Sequence, residues 1–203
     1  MKHFHYIALV FAAMLALSCG VRVPLTLTAE ECSLINGSPE VMRVLTVADE
    51  EDSLFLRQGC RNLNMVDINS EEFKVLSRKM IATLVSPEQD GVGIAGPQVG
   101  IGRRIIAVQR FDKEGEPIEI YVNPRIVETR GDLLPGPEGC LSVPDCRGDV
   151  PRWQDITICY TDTLSDRIDQ PREIREDIVG YTAVIFQHEI DHLDGIIYTD
   201  KVQ

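Results

Sequence analysis

Residues 179–193 read VGYTAVIFQHEIDHL, a stretch in which apolar side chains occupy nearly every face of a helix. It is followed by Gly195, a residue type that commonly ends helices. A helix that is hydrophobic all round lies inside a domain rather than on its surface. We therefore expect a buried helix here, with the remainder of the fold packed around it.

Two histidines and an acidic residue lie within this stretch. His188 and His192 are four residues apart, so both imidazoles lie on one helix face at the spacing needed to hold one metal ion. Glu189 lies beside the first of them. The alternative is a pair of core histidines hydrogen-bonded to the backbone, but burying two polar rings without partners is costly. The pattern therefore indicates a metal site.

The composition is typical of one globular domain. The 203 residues include 32 acidic and 20 basic side chains, giving a net charge of -12, and 44% of residues are hydrophobic. A chain of this length buries enough surface to fold without a structural metal or disulfides. Any bound metal would therefore have a chemical role and not a structural one. Sequence-independent nucleic-acid binding needs clustered Lys and Arg, and the sequence has no such run, so we expect no nucleic-acid partner.

The beginning of the sequence has the features of an export signal. Lys2 precedes an apolar stretch at residues 6–17, which is 12 residues long and too short to span a bilayer. We interpret residues 1–18 as a signal peptide of the bacterial lipoprotein type, with Cys19 as the acylated first residue of the mature protein. This predicts export to the cell envelope or periplasm and membrane attachment through lipidated Cys19. Ordinary secretion without a lipid and a buried N-terminal helix are the alternatives.

A metal-binding helix of this kind usually needs a third protein ligand and leaves one position open for water. Removal of residues 1–18 would also remove His3 and His5, so the third ligand must be a cysteine or a carboxylate. Cys140 is the candidate, because Gly139 before it lets the backbone approach closely. The remaining cysteines, which could form two disulfides or stay as free thiols, are Cys32, Cys60, Cys146 and Cys159.

The rest of the chain is expected to supply one more helix and several strands. We interpret residues 20–68 as irregular, residues 19–40 as a leader or linker, and residues 41–203 as the catalytic domain. Asn69 fits the N-cap of a helix that presents one apolar face until Pro87. The residues of that face are Phe73, Leu76, Met80 and Leu84.

Alternating apolar residues predict antiparallel strands at 104–109, 118–127 and 153–160, separated by Gly, Pro, Asn or Asp. The expected fold class is therefore α+β, with antiparallel β-sheets packed around the buried metal-binding helix and one further N-terminal helix. The sequence has no internal repeat, so we expect a single domain.

Three blocks of the sequence are similar to the motifs of one enzyme family. They are GVGIAGPQ at residues 91–98, EGCLS at residues 138–142 and QHEIDHLDG at residues 187–195. In this order and spacing they resemble peptide deformylases, over about residues 40 to 200. The resemblance implies a metal-dependent hydrolase that removes the formyl group from formyl-methionyl peptides and releases formate.

The chemistry follows from the ligand set. A divalent ion held by Cys140, His188 and His192 lowers the pKa of its bound water toward 7 and so provides a nucleophile at neutral pH. Glu189 is placed to take the water proton and return it to the departing amine. The resemblance implies Fe(II) as the ion, with Zn(II), Ni(II) or Co(II) as alternatives in the isolated protein.

The resemblance also implies two hydrogen-bond donors and a backbone edge for the substrate. The Gln98 side-chain amide and the Leu141 backbone N–H would donate to the oxygen of the attacked formyl group. The peptide would lie extended along the backbone of Gly93 and Ile94, which gives affinity that depends little on later side chains.

Glu138 and Gly139, in the second block, are also expected to bind substrate. A structural salt bridge with Arg152 is the alternative for Glu138, and a turn glycine is the alternative for Gly93. Arg147 resembles a position near the family's substrate groove, and a solvated surface arginine is its alternative.

The sequence departs from the family pattern in two places. Gly96 stands where an alanine is common, a loss of one methyl group that should leave activity intact. The sequence ends at Gln203, 11 residues after His192, where many bacterial relatives continue into a basic helix associated with the ribosome. We therefore expect no ribosome binding.

Two other functions stay open at this point. A zincin-type endopeptidase uses the same helix motif, but its third ligand lies further along the chain, and the acidic residues after His192 are only Asp194 and Asp200. A non-catalytic protein that binds formyl peptides would keep the fold, although every residue needed for chemistry is present. Formate release distinguishes both alternatives from a deformylase.

Overall fold

The computed structural model describes residues 26–89, 91–164 and 171–203. Within these residues, four helices precede the sheets: α1 (Ala29–Gly37), α2 (Glu50–Leu56), α3 (Met65–Ile68) and α4 (Glu71–Leu84). The strands are β1 (Gly93–Ala95), β2 (Ile105–Gln109), β3 (Ile118–Val122), β4 (Arg125–Cys140), β5 (Val143–Thr161) and β6 (Glu173–Val179), followed by helix α5 (Gly180–Leu193). Short 3-10 helices lie at Gly96–Val99 and Tyr198–Asp200. The predicted signal peptide, residues 1–18, and Cys19 lie outside the described residues.

The strands form two three-stranded antiparallel sheets, with the orders β1-β2-β3 and β4-β5-β6. β4 and β5 make a long hairpin whose pairing runs from Arg125 opposite Cys159 to Cys140 opposite Val143. The hairpin therefore carries Cys140 to its tip, far from the open ends of the two strands.

Helix α5 packs against strands of both sheets. Phe186 and Ile190 of the helix join Ile106, Ile156 and Ile178 of the strands in one buried cluster. Full burial of each such side chain stabilises the fold by roughly 1.5–3 kcal/mol. The apolar residues of α5 are therefore most stable when strands pack against the helix on several sides. The α+β class with antiparallel sheets is confirmed.

Gly195, two residues after the end of α5, is required there for a steric reason. Gly195 has a positive φ of 74°, and a Cβ atom there would lie 2.5 Å from the carbonyl oxygen of Arg57. A side chain would therefore meet both backbone strain and a clash with neighbouring backbone. The chain turns here, close to the backbone of Arg57.

The interpretation of residues 20–68 as irregular is wrong for their described part, which contains α1, α2 and α3. The expectation of one further N-terminal helix is wrong for the same reason. Each short helix begins at a side-chain cap; for example, Thr28 accepts a hydrogen bond from the N–H of Glu31, and Asn64 accepts one from Asp67. Helices this short show too little apolar periodicity to be recognised by pattern.

The predicted amphipathic helix is α4, but its start is shifted by one residue. Ser70 is the N-cap, and its hydroxyl accepts a hydrogen bond from the N–H of Phe73 at 3.2 Å. The Asn69 side chain instead donates to the carbonyl oxygen of Met65 at 2.7 Å and ends α3. On the predicted apolar face, the residues that are fully buried are Leu76, Met80 and Leu84.

The predicted strand at residues 118–127 is two strands. Asn123 adopts a left-handed conformation with φ of 53°, so β3 ends before it and β4 begins after it. The Asn123 side chain fixes this turn, because its Oδ1 accepts from Leu63 N at 2.8 Å and its Nδ2 donates to Leu63 O at 2.8 Å.

The predicted strand at residues 153–160 is only one end of the longer β5, and β6 has no alternating apolar pattern by which it could be predicted. The sequence of β6, EIREDIV, is dominated by charged residues. Glu173, Arg175 and Asp177 are exposed and form ion pairs with residues of β4 in place of apolar contacts. Glu176, in contrast, is partly buried and pairs with Arg110. The pairs with β4 include Arg125–Glu173 and Arg130–Asp177.

All five cysteines of the described chain are free thiols, so the alternative of two disulfides is not what the structure contains. They are Cys32, Cys60, Cys140, Cys146 and Cys159. No helix in residues 26–89, 91–164 and 171–203 has the length and apolar character needed to cross a bilayer.

A buried lysine joins α1 to α4. Lys79 of α4 is only 5% exposed, and its ammonium group donates to the carbonyl oxygens of Ile35 and Ser38, each at 2.6 Å. These carbonyls are at the C-terminal end of α1, where a helix favours a positive charge. Lys79 therefore attaches α1 to the domain.

Replacing Lys79 by Met should lower the free energy of unfolding by about 2 kcal/mol, because two inward-facing carbonyls lose a charged donor. Urea denaturation followed by circular dichroism measures the change. The control is Lys74→Met on the same helix, whose exposed ion pair with Glu71 should contribute less than about 0.5 kcal/mol. Equal effects of the two substitutions would contradict the role of Lys79.

Candidate metal centre and active site

Three potential metal ligands meet between the hairpin tip and α5. Cys140 comes from the end of β4, and His188 and His192 come from α5. Their ligand atoms all lie within 4.8 Å of one another, and Cys140 Sγ is 3.2 Å from His192 Nε2. The structure thus brings Cys140 to two histidines that lie 48 and 52 positions further along the chain.

This donor set fits a divalent transition metal ion. Tetrahedral coordination with bonds of about 2.0–2.3 Å separates ligand atoms by roughly 3.5 Å, which is close to the spacing found here. One thiolate and two imidazoles suit Fe(II) and Zn(II), and three protein ligands leave a position for water or substrate. His192 Nδ1 is buried and has no hydrogen-bond partner among the described residues, so its Nε2 is the nitrogen that faces the ligand cluster.

A carboxylate fixes the orientation of the first histidine. Glu138 Oε2 is 2.8 Å from His188 Nδ1, so the Nε2 atom of that ring faces the other ligands. Glu138 is also paired with Arg152 through two hydrogen bonds of 2.7 and 3.0 Å. Of the two interpretations of Glu138, the structure therefore contains the salt bridge with Arg152. It adds a contact with His188, which no sequence pattern indicates.

The pKa values of these groups reflect burial and pairing. Burial alone would raise the pKa of Glu138, but hydrogen bonds from His188 and Arg152 outweigh it and lower the pKa to about 2. Burial alone would lower the pKa of His188, but hydrogen bonds with Cys140 and Glu138 raise it to about 10. Burial and the charge of His188 lower the pKa of His192. A histidine binds a metal ion as the neutral imidazole, so His188 would have to be neutral to serve as a ligand.

Glu189 lies on α5 with its carboxylate against β1. The residue is 4% exposed, and Oε2 has no hydrogen-bond partner in the described part of the chain. Burial raises its pKa to about 7. A buried carboxylate without a partner is costly unless a ligand or water uses it, which points to a functional role.

Gly93 leaves the space that the Glu189 carboxylate occupies. A Cβ atom at this position would lie 2.8 Å from the carboxylate carbon of Glu189. Gly93 is in strand β1 and not in a turn, so the alternative of a turn glycine is excluded. The requirement for glycine comes from a contact 96 residues away, which the sequence alone cannot show.

Gln98 lies in the 3-10 helix that follows β1. Its Oε1 accepts from Ala95 N at 2.8 Å, and its Nε2 is 3.6 Å from Cys140 Sγ and 3.2 Å from Ser142 Oγ. The side-chain amide is therefore fixed beside the candidate thiolate ligand. Ser142 is fully buried and was not among the expected site residues, since a serine in a turn has no distinctive signal.

The turn of the hairpin places Leu141 next to Cys140. Its side chain packs over Gly91, where a Cβ atom would be 3.1 Å from Leu141 Cδ1, and toward the end of α4. At Gly96 a Cβ atom would lie 2.7 Å from the carbonyl oxygen of Arg103, so the glycine permits a close approach of two backbone segments. This contact gives a structural reason for glycine at the position.

The expected substrate-binding residues lie on two nearby backbone edges. Gly93 and Ile94 are in β1, which pairs only with β2, so among the described strands its other edge is open. Gly139 lies near the hairpin tip opposite Arg147, and both are exposed. An open strand edge can add an extended peptide through backbone hydrogen bonds.

The sequence model of the family described as polypeptide deformylase matches residues 41–203. The chain belongs to the peptide deformylase family. The chain is 38% identical to the peptide deformylase of Thermomicrobium roseum over 167 residues, which covers 80% of this chain and 88% of that protein. It is 45% identical to the peptide deformylase of Symbiobacterium thermophilum over 111 residues, which covers 55% of this chain and 48% of that protein.

Solved deformylase structures share the fold of this deformylase. The actinonin-bound class I type b peptide deformylase of Acinetobacter baumannii superimposes with a TM-score of 0.67 at 32% identity, covering 80% of this chain and 99% of that one. The peptide deformylase of Thermotoga maritima gives a TM-score of 0.66 at 29% identity, covering 80% and 98%. The deformylase described here is accordingly a hydrolase that removes the N-formyl group from peptides.

Replacing Gly93 by Ala should reduce the turnover of this deformylase by about 100-fold, because the new methyl group displaces the Glu189 carboxylate. Formate release measures turnover, and the bound metal should be unchanged because the ligands are not touched. Gly136→Ala is the matched control, since a Cβ there meets no atom within 4 Å. Full activity of the Gly93 variant would show that the two residues are not in contact.

Proposed function

We propose that this deformylase cleaves the formyl group from formyl-methionyl peptides, with Glu189 as the residue that transfers protons. The observation that supports this most strongly is the buried, unpaired Glu189 carboxylate between the metal-ligand cluster and the open edge of β1. The reaction adds water to the formyl carbon, breaks its bond to nitrogen, and yields formate and a free peptide amine.

Cys140, His188 and His192 are proposed to hold one divalent metal ion, Fe(II) by family resemblance, with Zn(II) as the alternative. Such an ion supplies Lewis acidity, which lowers the pKa of water and polarises a carbonyl group. Glu138 holds the His188 ring in place, as carboxylates commonly do for metal-binding histidines.

Glu189 is proposed to act twice. Its Oε2 atom accepts the proton from the attacking water, and the same atom then donates that proton to the amine nitrogen as the bond to the formyl carbon breaks. The position suits both steps, because the carboxylate lies directly beside the β1 backbone along which the peptide would bind. Glu189 is 4% exposed, which limits access of other water to this carboxylate.

Gln98 and Leu141 are proposed to stabilise the negative charge that develops on the formyl oxygen. Gln98 is well suited, because its Oε1 atom is already bonded to Ala95 N and its Nε2 atom is directed toward Cys140. One preorganised donor of this kind contributes about 2.7–4 kcal/mol to the transition state. The Leu141 N–H would supply the second donor from the hairpin tip.

The peptide is proposed to bind as an added strand on β1. Gly93 and Ile94 would exchange backbone hydrogen bonds with it, while Gly139 and Glu138 on β4 line the other side of the site. Backbone pairing provides affinity without dependence on later side chains. The reacting end of the peptide would then lie between Glu189 and the metal ligands.

The test is formate release from formyl-Met-Ala-Ser by the full-length protein, purified anaerobically and loaded with Fe(II) or Zn(II). Glu189→Gln should lower release by a factor of about 100 to 10,000 while the protein retains its metal. Glu71→Gln, at an exposed helix position, should leave release unchanged.

Three outcomes would contradict the proposed mechanism. Unchanged release in the Glu189 variant would remove Glu189 from the reaction. Bound metal without formate release in the unmodified protein would favour a formyl-peptide-binding protein, and cleavage of the peptide bond in place of formate release would favour an endopeptidase.

We further propose that the protein is exported and attached to a membrane by a lipid on Cys19. The support is in the sequence, where Lys2 and the apolar residues 6–17 precede the cysteine. Expression of the full-length protein in bacteria with labelled palmitate should give a labelled protein in the membrane fraction. Cys19→Ser should lose the label, and an unlabelled protein in the cytoplasmic fraction would contradict export.

A further inference from the structure

Residues 197–203 contact both α5 and the β4–β5 hairpin. We call residues 197–203 the C-terminal strap. Its Val202 packs on Gly148, where a Cβ atom would be 2.6 Å from Val202 Cγ2, and Gln203 N donates to Asp149 O at 3.2 Å. Asp200 forms an ion pair with Arg57. The strap is therefore held on both the hairpin and the helical part of the domain.

Lys201 connects this strap to the metal-binding helix. Its ammonium group donates to both carboxylate oxygens of Asp191, each at 2.7 Å. Asp191 lies between Glu189 and His192 in the sequence and is directed away from the ligands, toward the strap. The strap thus contacts α5 in the helical turn that carries His188 and His192.

Asp191 is linked to His188 through Arg152 and Glu138. Its Oδ2 atom also accepts from Arg152 Nη1 at 2.5 Å. The remaining nitrogens of Arg152 donate to Glu138, and Glu138 is 2.8 Å from His188 Nδ1. An unbroken series of charged hydrogen bonds therefore runs from Lys201 to the imidazole.

Lys201 adds a second cation, beside Arg152, to the two carboxylates of this series. The carboxylates of Glu138 and Asp191 face the cations of Arg152 and Lys201, and the first three side chains are 6%, 13% and 3% exposed. Without Lys201, Arg152 would be the only cation hydrogen-bonded to Asp191 while also pairing with Glu138. An uncompensated buried charge is strongly unfavourable, so Arg152 would move toward Asp191 and loosen its hold on Glu138.

A second contact from the strap reaches the same histidine. The ring of Tyr198 stacks on the ring of His188, with centroids 6.0 Å apart and planes inclined by 26°. Glu138 fixes one edge of the imidazole, and Tyr198 covers one of its faces. The Tyr198 restraint comes directly from the strap.

We propose that Lys201 is a positioning residue for the metal centre: it neutralises Asp191, so that Arg152 stays on Glu138 and Glu138 holds the His188 ring toward the ion. The inference rests on the proposed function only in taking Cys140, His188 and His192 as the ligands. Lys201 touches neither the substrate nor the reacting atoms.

The test is Co(II) binding by the full-length protein, measured by competition with a chelator and by the visible absorption of the bound ion. Lys201→Met should weaken Co(II) binding by roughly 5-fold to 10-fold, toward the lower end of effects seen when groups behind a metal ligand are removed. It should also shift the absorption bands, because the His188 ring is less well oriented. Lys201→Arg should restore both.

The matched control removes the other ion pair of the strap. Arg57→Met breaks the contact with Asp200 without touching Asp191, so the Co(II) affinity and spectrum should stay as in the unmodified protein. If Arg57→Met weakens Co(II) binding as much as Lys201→Met does, the strap acts only as packing and the proposal is wrong. Unchanged Co(II) affinity in Lys201→Met would also overturn it.

A double-mutant cycle tests the route through Asp191. In the Asp191→Asn background there is no carboxylate to neutralise, so adding Lys201→Met should cause no further loss of Co(II) affinity. A full additional loss would show that Lys201 acts elsewhere.

The wild-type Co(II) spectrum separates failure of this inference from failure of the proposed ligands. A missing thiolate-to-metal charge-transfer band would contradict Cys140 as a ligand. If the charge-transfer band is present, and Lys201→Met changes neither its intensity nor the Co(II) affinity of the protein, only the role of Lys201 is overturned.

Discussion

The structure depends on one constraint, which is that α5 is buried on nearly all sides yet carries two imidazoles and a carboxylate. Buried polar groups are tolerated only when they are paired or bind a ligand. Here β4 resolves the conflict, because Glu138 and Cys140, two residues apart near its end, both reach α5. Glu138 pairs with His188, and Cys140 approaches His192. The long β4–β5 hairpin therefore places Glu138 and Cys140 next to the histidines of the buried helix.

The first sheet meets the same helix from the other direction. β1 is only three residues long, and Gly93 within it leaves room for the Glu189 carboxylate. Because β1 pairs only with β2 among the described strands, the backbone beside that carboxylate has an open edge. The site thus combines a proposed metal centre, a proposed proton acceptor and a proposed peptide-binding edge on three elements of regular structure, which is how preorganisation favours catalysis.

Much of this arrangement could be predicted from the sequence, and the exceptions have physical causes. The buried helix and the cluster of Cys140, His188 and His192 follow from an all-apolar pattern and from ligand chemistry. The short helices α1 to α3 show too little periodicity, and β6 is dominated by charges that form cross-strand ion pairs. The contacts of Gly93 with Glu189 and of Lys201 with Asp191 depend on tertiary packing, which no local pattern encodes.

The central claim is that one thiolate and two imidazoles from β4 and α5 hold a single metal ion. X-ray absorption at the zinc K-edge of the Zn(II)-loaded, full-length protein tests it directly. The account predicts one sulfur scatterer at about 2.3 Å and two imidazole nitrogens at about 2.0–2.1 Å from the ion. A first coordination shell of nitrogen and oxygen without sulfur would contradict it.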